Sequence, residues 1–133
     1  MRTHDLQIDT RNRQVVDITG EVEAFARGAG DGLLNVFAPH ATAGLALIET
    51  GSGSERDLVE ALERLLPRDE RYTHRHGSAS HGADHLLPAL VAPSLTIPVR
   101  GGAMQLGTWQ RVVLVDLNRD NPRRTVTLSL LTG

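Results

Sequence analysis

Four of the six histidines fall between residues 74 and 85: His74, His76, His81 and His85. Neutral imidazole is the commonest side-chain ligand for a transition metal. His81 and His85 are four apart, so a helix would set them on one face. His74 and His76 are two apart, so a strand would set them on one side. Three nitrogen or oxygen donors plus a water make a catalytic zinc pattern. The competing reading is a solvated polar loop, and for His76 taken alone that is the reading adopted. The set expected to hold a divalent ion, zinc or magnesium, is His74, His81 and His85. The chain has no cysteine, which excludes thiolate zinc sites, disulfide scaffolds and CxxC redox chemistry.

A second group of candidates is polar residues at the ends of apolar runs. His40 follows the run Leu33–Ala38 and precedes Ala41-Thr42-Ala43-Gly44. Small side chains there let a ligand reach the backbone, and Thr42 with exposed amides could hold an anion. A capped polar residue at a strand end is the equal alternative for His40. Glu49 ends Leu45-Ala46-Leu47-Ile48, where a carboxylate either emerges into water or is held in a cleft for acid–base work. The following Thr50-Gly51-Ser52-Gly53-Ser54 leads into a helix N-terminus, a context that suits phosphate. It lacks the lysine and spacing of a P-loop, and a flexible loop with a helix cap explains it as well. Gly107-Thr108-Trp109-Gln110 joins two strand segments. Trp109 either fills the core or, beside Thr108 and Gln110, makes a wall for a ring-bearing ligand.

These residues need elements to hold them. Leu6 and Ile8 alternate with polar neighbours in a half-buried strand, and Val15-Val16 returns as a second after a turn at Asn12. Asp17 or Thr19 can cap a helix whose stripe is Ile18, Val22, Phe25, Ala26 and Ala29. Leu33–Ala38 and Leu45–Ile48 read as buried strands. Ser54 opens a second helix with an apolar face of Leu58, Ala61, Leu62, Leu65 and Leu66, closed by Pro67. A short third helix is expected over Leu86–Val91, with Pro88 limiting where it starts. Leu95, Ile97 and Val99 alternate, and Gly101-Gly102 forms a hairpin turn. Further strands are expected over Met104–Leu106, Val112–Leu117 and Thr125–Leu131, the last two joined by a polar turn. The class is α+β, one domain over residues 1–133, with mainly antiparallel strands and two to three helices.

Composition narrows the function classes. The chain has 133 residues, 40% of them hydrophobic, and a net charge of -2. All fourteen basic residues are arginine. The charge balance and the four aromatics argue against a nucleic-acid binder. Arg119, Arg123 and Arg124 make a local basic patch that a polar hairpin end explains. No segment resembles a signal peptide or a membrane span, so a cytoplasmic protein with no membrane partner is expected.

The order of His40-x-Thr42-Ala43, Glu49, Tyr72-x-His74, His85 before an apolar helix, Ser94-x-x-Ile97-Pro98-Val99 and Gly107-Thr108-Trp109-Gln110 resembles the YjbQ family, also called the secondary thiamine-phosphate synthase family. The resemblance spans nearly the whole chain, and its Gly-Thr-Trp-Gln piece is the specific one. It implies a compact α+β domain with antiparallel sheets, assembled as a homotrimer. The implied activity joins a thiazole phosphate to a pyrimidine diphosphate and releases pyrophosphate. His40, Glu49, His74, His85, Trp109 and Gln110 would then line one pocket, with His40 and Glu49 catalytic and Thr42, Thr108, Trp109 and Gln110 binding a phosphate-bearing ligand. The alternatives are a metal-assisted phosphate-ester hydrolase and a non-catalytic trimeric module that binds a metal or phosphate ligand. Two departures stand out. Relatives flank the glutamate with asparagines, where this chain has Ile48 and Thr50. Relatives also carry Asn or Asp where this chain has His81, which adds a metal ligand.

Overall fold

The computed structural model describes residues 1–74, 77–78 and 81–133. His76 lies outside the described residues. Among the described residues, eight strands and three helices follow one another as β1 (Arg2–Asp9), β2 (Val15–Asp17), α1 (Thr19–Ala26), β3 (Gly32–Phe37), β4 (Gly44–Ile48), α2 (Ser54–Leu65), α3 (His81–Leu90), β5 (Ser94–Arg100), β6 (Ala103–Met104), β7 (Arg111–Val115) and β8 (Arg123–Thr132). All strand pairings among them are antiparallel.

The strands form two sheets. The larger has the order β1-β8-β3-β5-β6 and the smaller β2-β7-β4. Their facing sides share one core. Ile8, Leu34, Val36, Ile97, Val99, Val126, Leu128 and Leu130 come from the large sheet, and Val16, Leu45, Val112 and Leu114 from the small one. Burying each such side chain contributes about 1.5–3 kcal/mol. Helix α1 adds Val22 and Ala26 to this core.

The far side of the small sheet has its own cluster, in which Val113, Val115 and Leu117 meet Leu62 of α2 and Leu87 of α3. Strand β7 is therefore buried on both faces, which is why Val112–Val115 is a continuous apolar run rather than an alternating one. The outer face of the large sheet is uncovered and carries Leu33, Phe37 and Leu131 among its exposed residues. Among the described residues, no helix is long and apolar enough to cross a membrane.

Most expected elements stand where the sequence puts them. The hairpin glycines 101 and 102 have φ of 58° and 77°, a backbone that L side chains rarely adopt. Three local expectations are corrected. The residue preceding α2 is Gly53, and no side chain caps that helix; instead the Glu55 carboxylate accepts the Gly51 amide at 3.0 Å. Strand β6 is two residues long, so Leu106 is outside it. Helix α3 begins at His81, five residues before the expected start, and Pro88 lies inside it. Proline there removes one helical hydrogen bond, yet the helix continues and the Val91 amide still bonds the Leu87 carbonyl at 2.8 Å.

Candidate metal centre

The early start of α3 sets His81 and His85 one turn apart on the same helical face. Their Nε2 atoms are 2.7 Å apart. His74 comes from the segment before the helix, with its ring centroid 4.1 Å from His85 and 5.4 Å from His81. One ring nitrogen from each of the three lies within 4.8 Å of the others. Zinc–nitrogen bonds of about 2.0–2.1 Å in a tetrahedral site put ligand nitrogens about 3.3 Å apart. That separation lies between the 2.7 Å of the His81–His85 pair and the 4.8 Å limit on the whole set, so a small ring adjustment fits the donors to such an ion.

Two features build this cluster. Gly82 packs its backbone against the Tyr72–His74 segment. A Cβ at this position would sit 2.7 Å from the Tyr72 Cβ and 3.0 Å from the His74 carbonyl oxygen. Only glycine lets α3 approach that closely. Tyr72 is tied down in turn, its hydroxyl donating to the Pro67 carbonyl at 2.6 Å.

The second feature is the turn after β7. Asp120 Oδ2 lies 3.1 Å from His81 Nδ1 and accepts the Ser78 hydroxyl at 3.1 Å. Burial raises the Asp120 carboxyl, but the bonds from Ser78 and His81 outweigh it and hold the group below its ordinary value. An ionised Asp120 accepts a hydrogen bond from His81 Nδ1–H, which leaves Nε2 facing His85 with its lone pair. This is the carboxylate–histidine arrangement that orients metal ligands. Asn118 Nδ2 donates to Asp84 Oδ2 at 2.9 Å and lies 3.4 Å from His81 Nδ1. Asp84, 1% exposed, is paired with Arg68 at 2.5 Å, and Arg68 also donates to the Leu117 carbonyl at 3.0 Å. The first turn of α3 is thereby bolted to the end of β7. Sequence reading missed Gly82, Asp84, Asn118 and Asp120. The available signal was the Asn-x-Asp-Asn turn, whose residue types favour local bonds to backbone and side chains.

The other sequence candidates fall in two places. His40 Nε2 accepts the Thr125 amide at 2.9 Å, so its neutral form carries the proton on Nδ1. Burial and the nearby Arg124 charge push its titration below the ordinary histidine value. Thr42 is buried, and its hydroxyl accepts from Arg124 at 2.8 Å. Arg124 is 2% exposed and paired with Asp116, with Nε to Oδ2 at 2.7 Å and Nη2 to Oδ1 at 2.9 Å. This corrects the expectation of a surface patch at residues 119, 123 and 124, because Arg124 alternates inward on β8.

Glu49, Thr108, Trp109 and Gln110 lie at the opposite end of the small sheet. Ile48 of β4 pairs with Arg111 of β7, and all four residues flank that end in an exposed position. Trp109 is 71% exposed, so it fills no core in this chain. Gln110 Oε1 accepts the Gly107 amide at 2.7 Å and shapes the turn. Nearby, burial alone would raise the Asp17 carboxyl, but hydrogen bonds from Arg111, Thr19 and Thr50 carry it down to about 2. The length of β7, roughly 13 Å at about 3.3 Å per residue, separates this group from the histidines. Within one chain the residues expected to line a single pocket thus stand at opposite ends of β7.

Fold and site together define a small two-sheet α+β protein with a three-histidine, cysteine-free candidate metal centre at one end of its inner sheet. The family described as UPF0047 protein YjbQ-like matches residues 4–133, and the chain belongs to that family. A UPF0047 protein of Mycobacterium tuberculosis is 64% identical over 133 residues, covering all of both chains. The UPF0047 protein YugU of Bacillus subtilis is 32% identical, covering 95% of this chain and 96% of the relative. Among solved structures, a hypothetical protein from Aeropyrum pernix K1 superposes with a TM-score of 0.88 at 36% identity, over the whole of both chains. A protein of unknown function from Sulfolobus solfataricus P2 superposes with a TM-score of 0.90 at 26% identity, covering 99% of this chain and 97% of that one.

Proposed function

We propose that this chain is a metal-dependent enzyme acting on a phosphate-bearing small molecule, with the ion held by His74, His81 and His85. The observation that carries the reading is the convergence of three imidazole nitrogens within 4.8 Å on a cluster braced by Asp120. Three neutral ligands leave the ion its full positive charge and an open position. An ion held by His74, His81 and His85 would supply polarisation of a phosphoryl oxygen or activation of a water. Hydrolysis of a phosphate ester uses the second capacity. The coupling of a thiazole phosphate to a pyrimidine diphosphate, implied by the family resemblance, uses the first, through charge stabilisation on departing pyrophosphate.

In the proposed homotrimer, the end of one copy that carries Glu49, Trp109 and Gln110 closes over the histidine end of another. Glu49 then supplies acid–base chemistry and Trp109 an aromatic wall. The 71% exposure of Trp109 in the isolated chain supports this. The non-catalytic reading, a module that binds a metal without turnover, is favoured by one fact: Glu49 is exposed and remote from the histidines of its own chain.

Elemental analysis of protein purified without a histidine tag tests the proposal. Near-stoichiometric zinc or another transition metal is expected, and its loss in the H81A/H85A double variant. Absence of metal from the wild type after reconstitution overturns the reading.

A further inference from the structure

At the two places where the sequence suggested phosphate binding, polar groups already have protein partners. The Thr42 hydroxyl takes a hydrogen bond from Arg124, and the Gly51 amide before α2 is spent on Glu55. A different place has free cationic donors. A cleft of about 630 Å³ lies between the β1–β2 turn and the turn after β7. Arg11, Asn12, Arg13 and Arg119 line it, together with Asp116 and Asn118. Ligand sites for small molecules span about 300–1,000 Å³.

The charge in this cleft is not self-compensated. The Asp116 carboxylate is fully engaged by Arg124, by the Thr10 hydroxyl at 2.7 Å and by the Asn118 amide at 3.0 Å. Asp9 accepts the backbone amide of Arg11 at 2.8 Å rather than a guanidinium. Asp120 is taken up by Ser78 and His81. Arg13 donates to the Asp9 backbone carbonyl, which leaves most of its donors unused. The guanidinium groups of Arg11 and Arg119 form no ion pair among the described residues. Three planar cations with unused forks thus surround a neutralised floor, and guanidinium forks match phosphate oxygens two at a time.

The cleft is also rigid. The Thr10 amide bonds the Pro122 carbonyl at 2.9 Å, which joins the two turns, and the Arg13 amide closes the β1–β2 turn on the Thr10 carbonyl at 2.9 Å. Asn12 sits in the left-handed region at φ 60°, between the two arginines it separates. The cleft adjoins the histidine cluster, because Arg119 stands between Asn118 and Asp120, which both lie within 3.4 Å of His81 Nδ1.

We infer that this cleft is an oxyanion site that takes a phosphate monoester or pyrophosphate group through Arg11, Arg13 and Arg119. The inference deepens the proposed function by placing the ligand's phosphate beside the metal, and it depends on that reading only for what the ligand does next. Titration calorimetry with inorganic pyrophosphate, against sulfate at matched ionic strength, tests it on the full chain before and after chelator treatment. Pyrophosphate is expected to bind more tightly than sulfate in both states. R11Q and R119Q each weaken it tenfold or more, R119K weakens it less than R119Q, and in chelator-treated protein H81A/H85A leaves it within twofold. These arginines are exposed, so the variants keep the fold. Wild-type affinity in R11Q and R119Q overturns the inference, as does no preference for pyrophosphate over sulfate. Binding lost in H81A/H85A but kept in the arginine variants also overturns it and puts the anion on the metal. Pyrophosphate bound by a protein that takes up no metal sustains the cleft and removes the proposed metal chemistry.

Discussion

At the residue scale, the spacing of the histidines matters less than what stands behind them. His81 presents Nε2 to His85 because Asp120 holds its Nδ1. Outer partners of this kind typically change metal affinity 10- to 100-fold when removed. D120A is therefore expected to weaken cobalt binding about 10- to 100-fold. The ligand-field spectrum should keep the same form, because the three imidazoles remain. H81A should change the spectrum itself. Unchanged affinity in D120A rules out a positioning role for the carboxylate. His40 is likewise held by a partner distant in the chain, its Nε2 accepting the Thr125 amide.

At the element scale, α3 is the part that sequence patterning placed least well. Residues 81–85 carry Gly82 and no apolar stripe, so periodicity starts the helix at Leu86. Tertiary contacts decide otherwise. Gly82, Ala83 and Asp84 are buried, and Asp84 is anchored to Arg68 and Asn118. Those contacts extend the helix over His81 and turn two separate histidines into one ligand pair. Gly82 makes the contact with the His74 segment possible. G82A is expected to push that segment away, lowering stability by roughly 1–3 kcal/mol and metal affinity at least tenfold. Denaturant titration and cobalt binding read the two effects. Full affinity in G82A would show that the close approach at Gly82 does not set the position of His74.

At the scale of the whole molecule, the proposed composite pocket needs both ends of β7, and the outer face of the large sheet leaves apolar side chains in water. Neither end alone carries a metal, a carboxylate base and an aromatic wall, and Leu33, Phe37 and Leu131 stay exposed. The proposed homotrimer would join the ends of neighbouring copies. Light scattering is expected to give a mass near three chains, and a mass of one chain would sink the composite pocket while leaving the histidine centre intact.

The sequence by itself determined the class, the strand alternation, the β5–β6 hairpin and the family, because these follow from local periodicity, glycine conformation and short motifs. It also brought out the histidine cluster, because composition alone shows it. Only the tertiary structure decided that Asp120 stands behind the histidines and that Arg124 turns inward to Asp116. It likewise placed Glu49 and Trp109 at the far end of β7. The physical reason is common to all of these. Each depends on contacts between residues distant in the chain, set by strand register and by the burial of polar groups that must find partners. Neither periodicity nor spacing encodes those partners.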